Sequence, residues 1–166
     1  MSSRSKKIAY LGLLTALAMI LSFVESQIPA LVAVPGIKVG LPNIAIVFIL
    51  YKIGAKQAVA VSFVRVFLVS LLFGNLQMMT FSMAGALLSM LGMILLKKTN
   101  WFSVITVSIV GGILHNVGQI AAACIWTGTA EVVLYLPVLL ISGLLTGGLI
   151  GLAAGILVKR FEKWTI

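Results

Sequence analysis

The sequence predicts an all-α polytopic membrane protein, with about six transmembrane helices in a single domain and both chain ends in the cytoplasm. Three observations predict it. Hydrophobic residues make up 61% of the 166 positions and charged residues only 9%, against roughly a quarter charged in an average soluble domain. The apolar residues fall in long runs, separated by connections of a few residues to about a dozen, which leaves no room for a soluble module. The cations then collect at alternate ends of those runs, as a membrane-spanning chain places them.

The first span is read at residues 8–24. The N-terminus, MSSRSKKIAY, combines a basic start with an apolar run, but the run is long and further spans follow it, so it reads as a first span rather than a cleaved leader. Residues 25–40 carry prolines and glycines at Pro29, Pro35, Gly36 and Gly40 yet stay apolar, which suits a capping or re-entrant segment better than a solvated loop. The second span, 41–52, opens on Pro42, a residue favoured in a first helical turn. It offers only roughly 20 Å of helix against a hydrocarbon core of roughly 30 Å. The third span is placed at 57–73 and the fourth at 77–96, with the uncharged turn Gly74, Asn75, Leu76 between them. Lys97 and Lys98 stop the fourth. The fifth is read at 103–126 and the sixth at 134–158, followed by Lys159, Arg160 and Lys163.

With the N-terminus inside, Arg4, Lys6, Lys7, Lys52, Lys56, Lys97, Lys98, Lys159, Arg160 and Lys163 share the inner side. That is ten of the twelve cations, leaving Lys38 outside and Arg65 within a span. This positive-inside distribution fails for an odd number of crossings. It also explains the formal charge of +9 without nucleic acid, because the basic clusters are solvated flanks.

The acids are Glu25, Glu131 and Glu162, and aspartate is absent from the sequence. Cys124 is the single cysteine, so no intrachain disulfide exists and the residue reads as small and apolar. His115 has no second His, no Asp and no second Cys to complete a metal site. No P-loop occurs, so ATP is not bound in that way. No catalytic residue and no cofactor are expected.

Polar residues inside the spans are the candidates for function. Arg65 stands in the middle of the third span, where an unpaired arginine costs about 2.5–3.5 kcal/mol even on the lenient insertion scale. It calls for Glu25, for helix-end carbonyls, or for an anionic or carbonyl-rich ligand. His115, Asn116 and Gln119 cluster on the fifth span, with His115 and Gln119 on one helix face. Asn43, just after Pro42, suits a helix cap, a ligand contact, or both. Lys38 is the exterior cation beside it. Gln77, Met78, Met79, Phe81 and Met83 open the fourth span as a sulfur-rich wall, suited either to packing or to lining a pocket. Gly143, Gly147, Gly151 and Gly155 recur every four residues in the sixth span, a register that brings another helix to backbone distance, within the chain or in a partner subunit.

The blocks PGIKVGLPNI, RVFLVSLLFG and HNVGQ together resemble the Gx transporter family, also labelled heptaprenyl diphosphate synthase component I, and the resemblance covers nearly the whole chain. That family is similar to the substrate-binding S components of energy-coupling factor (ECF) transporters. The resemblance implies a six-helix bundle in the cell (plasma) membrane that takes a small molecule from outside, under a cover formed between the first two spans. It implies as partners a transmembrane coupling subunit and two ATPase subunits, docked on a small-xxx-small motif of the first helix. Gly12 and Ala16 stand at that motif here, with glycine where alanine is common. The synthase label implies prenyl transfer, which needs aspartate-rich motifs to hold magnesium on a diphosphate. This sequence has no aspartate, so no enzyme is expected.

The expected ligand is small and partly apolar, with an anionic or carbonyl group: a vitamin, flavin, quinone or isoprenoid precursor. Lys38 and Arg65 supply charge, Asn43, Gln77, His115, Asn116 and Gln119 hydrogen bonds, and methionines such as Met79 apolar contact. The rival readings are a membrane accessory subunit of an isoprenoid, quinone or electron-transfer assembly, and a stand-alone secondary transporter. The latter lacks an intramembrane acid for ion coupling.

Overall fold

The computed structural model describes residues 3–28 and 39–163. Among them the chain is helical and strand-free. It forms α1 (Ser3–Gln27), α2 (Asn43–Lys52), α3 (Ala55–Phe73), α4 (Leu76–Thr99), α5 (Val104–Thr127) and, after a 3-10 turn at Glu131–Tyr135, α6 (Leu136–Arg160). Five of these helices are long and apolar enough to cross a membrane, and α2, with 10 residues, is not. Several helices outrun the apolar stretches read from the sequence, because a helix continues through its polar flanks after the hydrocarbon ends. Thus α1 reaches Gln27 rather than Val24, and α4 reaches Thr99 beyond Lys97 and Lys98.

Local chemistry sets the ends. Asn75 caps α4 by accepting the Met78 N–H at 2.8 Å, and Ser103 caps α5 by accepting the Thr106 N–H at 3.1 Å. Gly128 ends α5 in the left-handed region at φ 69°, a conformation that costs glycine little. The Asn43 side chain caps nothing: Pro42 occupies the N-cap of α2, with no side-chain hydrogen bond there.

Exposed apolar side chains cover the outside of the bundle. Leu13 is 67% exposed, Leu71 68% and Ile156 69%, an arrangement that lipid solvates and water does not. The interior is organised around α2. Ala45 through Leu50 are all buried, with Ile49 and Leu50 at 0% exposure. A helix apolar on all sides belongs in a core. It packs against α1, α3 and α6, while α3 packs on α4, α4 on α5 and α5 on α6.

The closest helix contacts are those of α5, and glycine makes them. A Cβ on Gly143 would lie 2.9 Å from the Gly112 carbonyl oxygen, one on Gly147 2.8 Å from the Ile109 Cα, and one on Gly151 2.7 Å from the Ile105 Cα. Most of the glycine register of α6 is therefore spent inside the chain, on α5. The other side of α5 meets α4 in the same way, since a Cβ on Gly118 would lie 2.6 Å from the Ala84 carbonyl oxygen.

The basic ends of the helices are tied together. Lys97 donates from Nζ to the Leu50 carbonyl at the end of α2 and lies 5.1 Å from the centre of the Tyr51 ring. Lys52 donates to the Glu162 carbonyl at 3.1 Å, and Phe48 meets Phe161 edge-on at 5.8 Å. A cation at a helix C-terminus satisfies carbonyls that the helix leaves free.

Gly147→Ala forces α5 and α6 apart, because the three atoms nearest the new methyl are all backbone. Its melting temperature in detergent should fall, by an amount equivalent to about 1–3 kcal/mol. Gly148→Ala, whose nearest neighbour is 3.9 Å away, should melt at or above the wild-type temperature.

Candidate functional site

Because α2 is only 10 residues long, or about 15 Å, it fills part of the depth between its neighbours. A cavity of about 440 Å³ lies beside and beyond its first turns. Pro42, Asn43 and Val47 of α2 line it, together with residues from each of the five long helices, and it reaches down to Met93 of α4 and Ser108 of α5. The volume falls within the roughly 300–1,000 Å³ of small-molecule sites.

Arg65 of α3 enters this cavity. Its Nη1 donates to Ser22 Oγ at 3.5 Å and its Nη2 to Asn43 Oδ1 at 3.4 Å, both longer than the roughly 2.7–3.2 Å of a good bond. The Nε–H is fully buried and has no partner. A guanidinium has five N–H donors, so Arg65 is held in place and left mostly unsatisfied. Among the described residues it forms no ion pair with Glu25, although the Glu25 charge acts on it. The Glu25 carboxylate instead accepts the N–H of Gly40. Gly40 has φ +80°, and a Cβ there would also press on Asn43 Nδ2 at 3.2 Å. Glycine is thus required where the chain turns into α2.

The far wall comes from α5. His115 and Gln119 lie against Gly85 of α4, where an added Cβ would stand 2.9 Å from His115 Cε1 and 3.0 Å from Gln119 Cγ. Asn116, one residue round the helix, faces α6 and donates from Nδ2 to the Leu139 carbonyl at 2.6 Å. That bond ties α5 to α6 and leaves Oδ1 as the acceptor of the side chain. His115, Asn116 and Gln119 all line the cavity.

Of the residues singled out in the sequence, Asn43, Arg65, His115, Asn116 and Gln119 thus meet at one site. Gln77 and Met79 are not part of its wall; Met78 is. Helical geometry is the reason: Met78, Ser82, Ser89 and Met93 recur on one face of α4, and Gln77 and Met79 point about 100° to either side of it. Phe81 packs edge-on against Trp126 instead, at 6.3 Å. Lys38 and most of the capping segment lie outside the described residues. Gly12 and Ala16 are exposed on α1, away from the cavity, with nothing within 4 Å of a Cβ on Gly12.

The hydroxyls were missed in the sequence reading. Ser22, Ser70, Ser82, Ser89, Ser108 and Thr146 all line the cavity. Their signal was spacing: Ser82 and Ser89 are two helical turns apart, and Ser108, Gly112, His115 and Gln119 follow one face of α5. Among the described residues, no three His, Cys, Asp or Glu side chains gather as metal ligands.

An apolar helical bundle with spanning-length helices and a polar, cation-bearing cavity defines a multi-pass membrane protein. The family described as heptaprenyl diphosphate synthase component I matches residues 14–157, and the chain belongs to that family, the one its sequence blocks resemble. Neither the curated proteins nor the solved structures yield a match.

Asn116→Ala removes the side-chain bond that ties α5 to the Leu139 carbonyl of α6, a carbonyl that keeps its place in the hydrogen-bond ladder of its own helix. Stability in thermal melts should fall by about 0.5–1.5 kcal/mol.

Proposed function

We propose that this chain is the substrate-capturing S component of an ECF-type importer, taking up a small, partly apolar molecule with an anionic or carbonyl group. The observation that carries the reading is Arg65: a mid-span guanidinium with an unpartnered, buried Nε–H in a cavity of about 440 Å³. Burying a guanidinium with an unmet donor and two long bonds in a membrane is costly, and an acceptor-bearing ligand offsets that cost. Asn43, His115, Asn116 and Gln119 contribute hydrogen bonds. Lys38, next in sequence to the segment entering α2, adds charge at the approach, and Met78 and Met93 apolar contact. Gln77 and Met79 stand beside Met78 at the outer start of α4, off the lining of the cavity.

The positive-inside rule orients the bundle with six crossings. Both termini face the cytoplasm of the plasma membrane, and the cavity opens outward. The exposed small-residue face of α1 at Gly12 and Ala16 is where the coupling subunit docks, and the two ATPase subunits supply the energy through it. The chain works as a carrier rather than an enzyme in this reading. The family description favours a second reading, a non-catalytic membrane subunit of a prenyl-diphosphate or quinone assembly. The cavity favours an occupant with both polar and apolar parts, because its walls set a guanidinium, amides and hydroxyls among apolar side chains such as Val47, Val66 and Ile150.

Mass spectrometry of small molecules retained through purification tests the capture reading: wild type should carry a stoichiometric compound that Arg65→Ala loses by tenfold or more. Equal retention by the variant would sink it. Docking is tested separately. Gly12→Leu with Ala16→Leu should abolish copurification of ATPase subunits while leaving ligand retention unchanged, and the accessory-subunit reading expects no such subunits in either protein.

A further inference from the structure

Two charged groups line the cavity among the described residues, Arg65 and Glu25, and they do not close on each other. In a medium of low dielectric, opposite charges in one chamber attract strongly, and a direct, hydrogen-bonded pair is how proteins usually offset their desolvation. Here each is engaged with something weaker. Arg65 has two long bonds to neutral oxygens and an orphaned Nε–H. Glu25 accepts one backbone N–H, that of Gly40, although a carboxylate accommodates about four donors. Backbone geometry holds them in these positions: α3 delivers Arg65 from one side, and the Gly40 turn holds the Glu25 carboxylate at the end of α1. The chamber therefore offers donors at one point and a charged acceptor at another, with room between.

Resting on the capture reading above, we propose that Glu25 is a ligand-binding and specificity-determining residue. The captured molecule carries an N–H donor beside a C–O acceptor, the donor meeting Glu25 and the acceptor meeting Arg65. Such an edge is found in an uncharged lactam or imide and in a zwitterionic amino acid. A simple anion without a donor, such as sulfate, satisfies Arg65 but sets its charge against Glu25, so the same pair rejects it.

The test uses the full chain in lipid nanodiscs and affinity-selection mass spectrometry on matched pairs. These are cyclic imides and lactams with their N-methylated counterparts, and amino acids with their deaminated counterparts; sulfate serves as the donorless anion. Donor-bearing members should bind wild type about tenfold or more tightly than their blocked partners, the range expected for hydrogen bonds to a charged group, and sulfate should not bind. Whether the binding pairs are the imides and lactams or the amino acids tells an uncharged edge from a zwitterion. Glu25→Gln keeps an oxygen for the Gly40 N–H, so its ligand-free melting temperature should stay at the wild-type value while the preference disappears. Equal binding of blocked members, or a preference that survives Glu25→Gln, overturns this inference; if Arg65→Ala still abolishes that binding, the capture reading stands. Binding of no pair to wild type overturns this inference, while the capture reading stands or falls by the compound retained through purification. The wild-type preference alone decides the matter if Glu25→Gln does not fold.

Discussion

The structure depends on a helix too short for its place. Helix α2 is buried on every side, yet its 10 residues span about half of a bilayer core. Its neighbours are of spanning length and cannot collapse into the remainder without breaking their own packing, so the remainder persists as a cavity. The first turns of α2 form one wall of that cavity, and its last turn is anchored by Lys97 and by the tail beyond α6. A full-length second helix would leave the same bundle without a site.

A second constraint gives the cavity its chemistry. Helix α5 lies between α4 and α6 at backbone contact, because glycines on all three helices remove the side chains that would hold them apart. Without a hydrophobic driving force between helices in lipid, such close contact is a main source of cohesion. It also fixes the rotation of α5. His115 and Gln119 are thereby turned along α4, and Asn116 toward α6, where one hydrogen bond to Leu139 fastens the two helices. The same glycines that hold the bundle together thus aim its polar residues.

Arg65 links these features to function. Its bonds to Ser22 and Asn43 connect α3 to α1 and to the start of α2, but they satisfy only part of its donor capacity. A purely structural arginine would be expected to end on carboxylate or carbonyl oxygens at short range. Its incomplete bonding gives the proposed site a preference for an acceptor-bearing occupant. The name of the family points to prenyl diphosphate chemistry, whereas a chain without aspartate has no means of holding magnesium on a diphosphate in the usual way.

Much of this was legible in the sequence. Run lengths and the spacing of prolines and cations specify helices in lipid and the shortness of the second one, because the bilayer prices every buried charge and every missing turn. Asn43, Arg65, His115, Asn116 and Gln119 stood out for the same reason: each is a polar side chain where hydrocarbon surroundings make polarity expensive. Serines and a threonine did not, since a hydroxyl bonds to its own helix at little cost, as Thr146 does to the Ser142 carbonyl at 2.8 Å. Only tertiary structure decided which face of each helix the cavity meets. That choice replaced Gln77 and Met79 by Met78, assigned most of the glycine register of α6 to α5, and set Glu25 on Gly40 instead of on Arg65. Composition determines what must be hidden from lipid, whereas the rotation of packed helices, set by contacts between residues far apart in the chain, determines what each hidden group touches.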